Sequence, residues 1–83
     1  MKIIIHPHAL ERMRERGATE EEVIITIERG ERFAAKYDRV GFRKNFPFEN
    51  QWREKRYRTK QVEVYAVKEN SDWIVVTVLT RYF

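Results

Sequence analysis

The stretch Thr19-Glu20-Glu21-Glu22-Val23-Ile24-Ile25-Thr26-Ile27-Glu28-Arg29-Gly30 marks where this 83-residue chain changes its periodicity, and its reading decides the fold. Thr19 and Glu22 have capping-box spacing, and three acids occupy the first turn, where unpaired N–H groups make the positive end of a helix. The pattern predicts a helix over residues 20–29 that buries Val23, Ile24 and Ile27 and stops at Gly30. Beyond Gly30 the period falls from 3.6 to 2, which predicts strands at about residues 32–37, 40–48, 52–67 and 73–82. Asn50-Gln51 and Asn70-Ser71-Asp72 are the predicted turns, so the last three strands form an antiparallel meander with a long first hairpin. Pro47, which has no N–H to give to a ladder, predicts that the tip of this hairpin is at a sheet edge.

Upstream, Ile3-Ile4-Ile5 is a short β-branched run, and His6-Pro7 follows it with a proline suited to the first position of a helix. A helix over about residues 8–16 is expected to end at Gly17, with Arg14 and Arg16 complementing its negative end. The order is therefore β-αα-ββββ. The fold class is α+β, with two N-terminal helices packed on one face of a mainly antiparallel, twisted sheet, in a single domain over residues 1–83. Strict alternation puts Val62, Val64 and Ala66, with Ile74, Val76 and Val78, beneath the helices. It leaves Glu63, Tyr65, Trp73, Val75, Thr77, Leu79 and Arg81 on the other face.

Composition narrows the setting. Hydrophobic residues make up 42% and charged residues 36%, a globular balance, and a chain this short supports one core only. With no cysteine there is neither a disulfide framework nor a thiolate metal site, so the expected location is a reducing cytoplasm. The apolar run at the amino terminus is too short for a signal peptide or a membrane span. The net charge is +4, but Arg39 to Lys60 carries eight basic residues against two acidic ones, so +6 lies there and −2 elsewhere. Such segregation favours a polyanionic partner through steering and counterion release.

The segment His8-Ala9-Leu10-Glu11-Arg12-Met13-Arg14-Glu15-Arg16-Gly17, followed by the capped helix and the Val-rich strand Ile74-Val75-Val76-Thr77-Val78, resembles the signature of a family of small domains of unknown function. That family reads His-Ala-x-x-Arg-x-x-x-Arg-Gly and is similar to RelE-like toxin ribonucleases. The resemblance implies a RelE-like fold and a metal-independent endoribonuclease, or a relative of one. It implies RNA as substrate, free or on the ribosome, and a small antitoxin protein as partner. No cofactor is implied. Carried over residue by residue, the matching positions are His8, Arg12 and Arg16.

RNA cleavage without metal needs a group to take the proton of the 2′-hydroxyl and cations to hold the phosphorane oxygens. His8 as base or acid, with Arg12 and Arg16 as stabilisers, meets those needs. The apolar stripe through Ala9, Leu10 and Met13 lies nearly opposite His8, so a solvated first-turn histidine is the competing reading. His6-Pro7-His8 offers two imidazoles to a metal but no firm third ligand, and no metal site is expected.

In the hairpin, Trp52 and other rings interleave with Arg43, Arg53, Arg56 and Arg58, as in sites that stack bases and hold phosphates. Tyr65, Thr77 and Arg81 would line the sheet side of the RNA-cleaving site formed with His8, Arg12 and Arg16. The same aromatic hairpin fits a non-catalytic adaptor on the same fold, or a homodimer interface.

Overall fold

Capping decides where both helices begin. The computed structural model describes residues 1–83 and contains β1 (Ile3–Ile5), α1 (Pro7–Arg16), α2 (Glu20–Arg29), β2 (Glu31–Ala34), β3 (Val40–Trp52), β4 (Lys55–Glu69) and β5 (Asp72–Tyr82). His6 caps α1, its Nδ1 accepting the His8 N–H at 3.1 Å, and Pro7 takes the first helical position. In α2 the capping box is complete: Thr19 Oγ1 accepts the Glu22 N–H, and Glu22 Oε1 accepts the Thr19 N–H. Gly17 ends α1 at φ 76°, and a Cβ there would lie 2.7 Å from the Trp52 ring and from Tyr82 Oη. Glycine is required at this position both for its conformation and for the close approach.

The five strands form one sheet in the order β1-β5-β4-β3-β2. β1 runs parallel to β5 and every other pairing is antiparallel, so the sheet is mixed. Both helices lie on the same face. Ala9 and Met13 of α1, with Val23 and Ile27 of α2, pack against Phe42, Val62, Val64, Ala66, Trp73, Val75 and Val78. Ile24 is not part of this core but 38% exposed, and Thr26 takes the place expected for it. Thr26 can be buried because its hydroxyl donates to the Glu22 carbonyl at 2.7 Å. No helix is long and apolar enough to cross a membrane.

Two expectations are corrected. Strict alternation placed Ile74 and Val76 beneath the helices, but Trp73 and Val75 are the buried residues there. The ladder shifts between Tyr65 and Ala66, whose partners are Thr77 and Val75, leaving Val76 as the extra residue of a β-bulge. Val62, Val64, Ala66 and Val78 are buried as expected. Val75→Ala should therefore cost about 2 kcal/mol and Val76→Ala less than half of that, measured as urea midpoints. Equal costs would mean that the bulge is misplaced.

The second correction concerns the first hairpin, which turns at Arg53-Glu54 rather than at Asn50-Gln51. Trp52 pairs with Lys55, and both turn residues have positive φ, 51° and 71°. A break in register between Pro47 and Asn50, with Glu49 at φ 45°, carries Asn50 and Gln51 on into β3. β2 pairs only as far as Arg43, so Pro47 does lie on a free edge.

Lys60 locks this hairpin to the helices. It is 6% exposed, and its Nζ donates to the Gly17 carbonyl at 2.7 Å and to Glu22 Oε1 and Oε2 at 2.9 and 3.1 Å. The carboxylate that completes the capping box thus also neutralises a buried ammonium.

Candidate functional site

On the sheet face without helices, alternation lines up Glu63 and Tyr65 of β4 with Arg43 of β3 and with Thr77, Leu79 and Arg81 of β5. Glu63 is 4% exposed although no helix covers it, because neighbouring side chains close over it. Tyr65 Oη donates to Glu63 Oε1 at 2.5 Å, and Arg43 Nη1 lies 3.9 Å from Oε2. Burying a carboxylate is costly unless it is paired, and both oxygens of Glu63 have a partner. Arg43 is itself held from the other side, its Nε and Nη2 donating to Glu31 Oε1 at 3.1 and 2.5 Å.

This chain of contacts has electrostatic consequences. The hydrogen bond to Glu63, then burial, raise the Tyr65 pKa above the ordinary 10.0, with Arg81 and Arg43 opposing. Burial likewise raises that of Tyr82. The Glu31 hydrogen bond raises the Arg43 pKa. A phenol whose folded pKa is raised contributes stability that is complete below its unfolded value and disappears as pH climbs through the folded one. The urea midpoint should therefore fall above about pH 10, and Tyr65→Phe and Tyr82→Phe should each make that fall shallower. An equally steep fall in both variants would refute the assignment.

Beside Tyr65 the open face carries a groove of about 410 Å³, lined among others by Phe33, Lys36, Tyr37, Arg39 and Thr77. Of the expected binding residues, Arg43, Tyr65, Thr77 and Arg81 thus come together on one face. Sequence reading overlooked the roles of Glu63, Phe33 and Tyr37. The available signal was Glu63 between Val62 and Val64, since an acid in the middle of a paired strand requires a partner.

The hairpin is built differently from the expected array of free rings. Trp52 stacks on Tyr82 with centroids 5.0 Å apart at 14°, and Phe48 and Tyr57 also pack on Tyr82, at 5.1 and 5.7 Å. The rings therefore face inward, towards the end of α1. Arg53 lies over the Trp52 ring and donates to the Glu15 carbonyl at 3.2 Å, and Arg56 reaches the Glu49 carbonyl at 3.4 Å. Arg58 is exposed and makes no ion pair. The hairpin thus presents cations outward and keeps its aromatic surface for itself.

His8, Arg12 and Arg16 belong to the helical layer, whereas Tyr65, Thr77 and Arg81 project from the opposite face of the sheet. Arg16 is a clamp: Nη1 donates to the Val78 carbonyl at 2.7 Å, while its own carbonyl accepts the hydroxyls of Thr80 and Tyr82 at 2.9 and 2.8 Å. Arg12 pairs with Glu15 at 3.0 Å. His8 is exposed, with its ring edge-on to His6. No three histidine, aspartate or glutamate side chains converge in metal-ligating geometry.

Among protein families, the model described as Domain of unknown function (DUF4258) matches residues 5–80. No curated protein and no solved structure matches the chain.

Proposed function

This chain belongs to the DUF4258 family, and we propose that it is an RNA-binding, toxin-like member with a RelE-like fold that cleaves RNA without metal, leaving a 2′,3′-cyclic phosphate. The observation that carries the reading is the Glu63–Tyr65 pair on the uncovered sheet face, flanked by Arg43 and Arg81. Cleavage of RNA by its own 2′-hydroxyl needs a base, a proton path and fixed positive charge, and this cluster has all three.

The 2′-hydroxyl gives its proton to Tyr65 Oη as the Tyr65 proton passes to Glu63. The 2′ oxygen bonds to phosphorus, the bond from phosphorus to the 5′ oxygen breaks, and the departing oxygen takes a proton from water. Arg81 holds the phosphorane oxygens. Arg43, tethered by Glu31, fixes Glu63 in place. His8 belongs to the helical layer on the opposite face of the sheet, and the chemistry is therefore assigned to the Glu63–Tyr65 pair in place of α1. The outward cations of the hairpin, Arg58 above all, extend the positive surface along the RNA.

Purified protein incubated with single-stranded RNA, with and without ribosomes, should yield cyclic-phosphate ends in the presence of EDTA. Products ending in a 3′-hydroxyl, or cleavage that requires added metal, would overturn the mechanism.

A further inference from the structure

The groove beside Tyr65 owes its shape to a glycine. Gly41 of β3 lies opposite Tyr65 in the ladder, and a Cβ at this position would come within 2.3 Å of the Phe33 ring. Its absence lets Phe33 of β2 lie down over β3, where its ring meets that of Tyr65 edge-on, at 6.0 Å and 86°. The two rings form a floor and a wall at right angles.

The far side is made by the turn between β2 and β3. Tyr37 and Asp38 both sit in the left-handed region, at φ 61° and 58°, an uncommon conformation for residues with a side chain. The turn is held by Ala35 N–H to the Arg39 carbonyl at 3.1 Å and Arg39 N–H to the Lys36 carbonyl at 3.3 Å. It stands Tyr37 out, 83% exposed, with the Arg39 guanidinium 5.9 Å from its ring centroid. Lys36 and Arg39 make no ion pair, so two free cations border a slot with three aromatic rings.

We infer that this slot seats one unpaired base of single-stranded RNA, stacked on the exposed Tyr37 ring, with the adjoining phosphate on Lys36 and Arg39; Phe33, which has the Arg43 guanidinium 4.8 Å from its ring centroid, bounds the slot and does not stack. The inference rests on the RNA reading above and specifies its substrate. Rings take any base by its flat face, while in a duplex the bases stay stacked and hidden in the deep groove of the A-form helix. The base so held places its neighbouring ribose at the Tyr65 wall, where the proton transfer begins.

The test uses a short single-stranded RNA with every 2′-hydroxyl methylated, so that it binds without being cut, and with one abasic site moved through each position in turn. Binding is read by fluorescence anisotropy with the full chain and with Tyr37→Asn, a residue that tolerates the left-handed conformation. At one position the abasic site should weaken binding of the wild-type chain about tenfold, and binding of Tyr37→Asn less than about twofold, as expected for one lost stacking contact. The duplex form of the same RNA should bind the wild-type chain more weakly than the single strand. If the abasic penalty is the same in both proteins at every position, or the duplex binds as tightly, the slot does not hold a base. In that case Tyr65-dependent cleavage of RNA would still stand. If the wild-type chain binds no RNA at all, the RNA reading falls and the slot with it.

Discussion

Tyr65→Phe should slow RNA cleavage about a hundredfold or more, the loss expected when a group that moves a proton in the transition state is removed. Phenylalanine keeps the ring that packs on Phe33 and takes away only the hydroxyl that joins the substrate side to Glu63. Glu63→Gln should match it, because glutamine still accepts the Tyr65 hydrogen bond but takes up no proton. Losing one hydrogen bond to a buried carboxylate costs about 1–3 kcal/mol, so single-turnover rates are compared well below each variant's unfolding temperature. His8→Ala should stay within about twofold of the wild-type rate, since a solvated side chain outside the reacting cluster contributes no step. A wild-type rate in Tyr65→Phe, or a large loss in His8→Ala, would return the chemistry to α1.

The largest expected loss of stability comes from Lys60→Met. Methionine keeps an unbranched apolar stem of similar length but leaves the Gly17 carbonyl, the Glu22 carboxylate and the Phe48 ring without their cation. Breaking a buried pair on one side costs about 3–5 kcal/mol, and partial exposure of Glu22 puts the expected value near the lower end, about 3 kcal/mol. For a domain of this size that is a drop in melting temperature of roughly 15 °C. The double variant Lys60→Met with Glu22→Gln should recover part of it, because no charge is then left unpaired. If Lys60→Met melts with the wild-type chain, the hairpin is not tied to the helices in this way.

The helices were legible because their signals are local. Thr19 and Glu22 need only each other, and Pro7 and Gly17 act through their own backbone angles. The bulge in β5 was not legible, since Trp73-Ile74-Val75-Val76-Thr77-Val78-Leu79 is apolar on both faces and a shift of one residue leaves the pattern as good as before. Nor was the turn at Arg53-Glu54, which uses none of the residues that favour two successive positive φ angles and is held by the contacts of Trp52 and Arg53 with Tyr82 and Glu15. Charge counting grouped Lys60 with the hairpin cations, although burial separates it from them. The candidate site was half visible: Tyr65, Thr77 and Arg81 follow from alternation, whereas the flattened Phe33 depends on Gly41, a partner that only the register reveals.

The position of β1 also sets a schedule for the chain. Ile3, Ile4 and Ile5 pair with Trp73, Ile74 and Val75, so the strand nearest the amino end of this sheet is completed by the one nearest its carboxyl end. The contact spans almost the whole sequence, and closing so long a loop is entropically expensive before any pairing compensates for it. α1, too short to be stable by itself, packs chiefly on β5, so neither β1 nor α1 has its partner until β5 is in place. The sheet therefore closes only with β5, which completes at one stroke the core beneath the helices, through Trp73, Val75 and Val78, and the uncovered face, through Thr77 and Arg81.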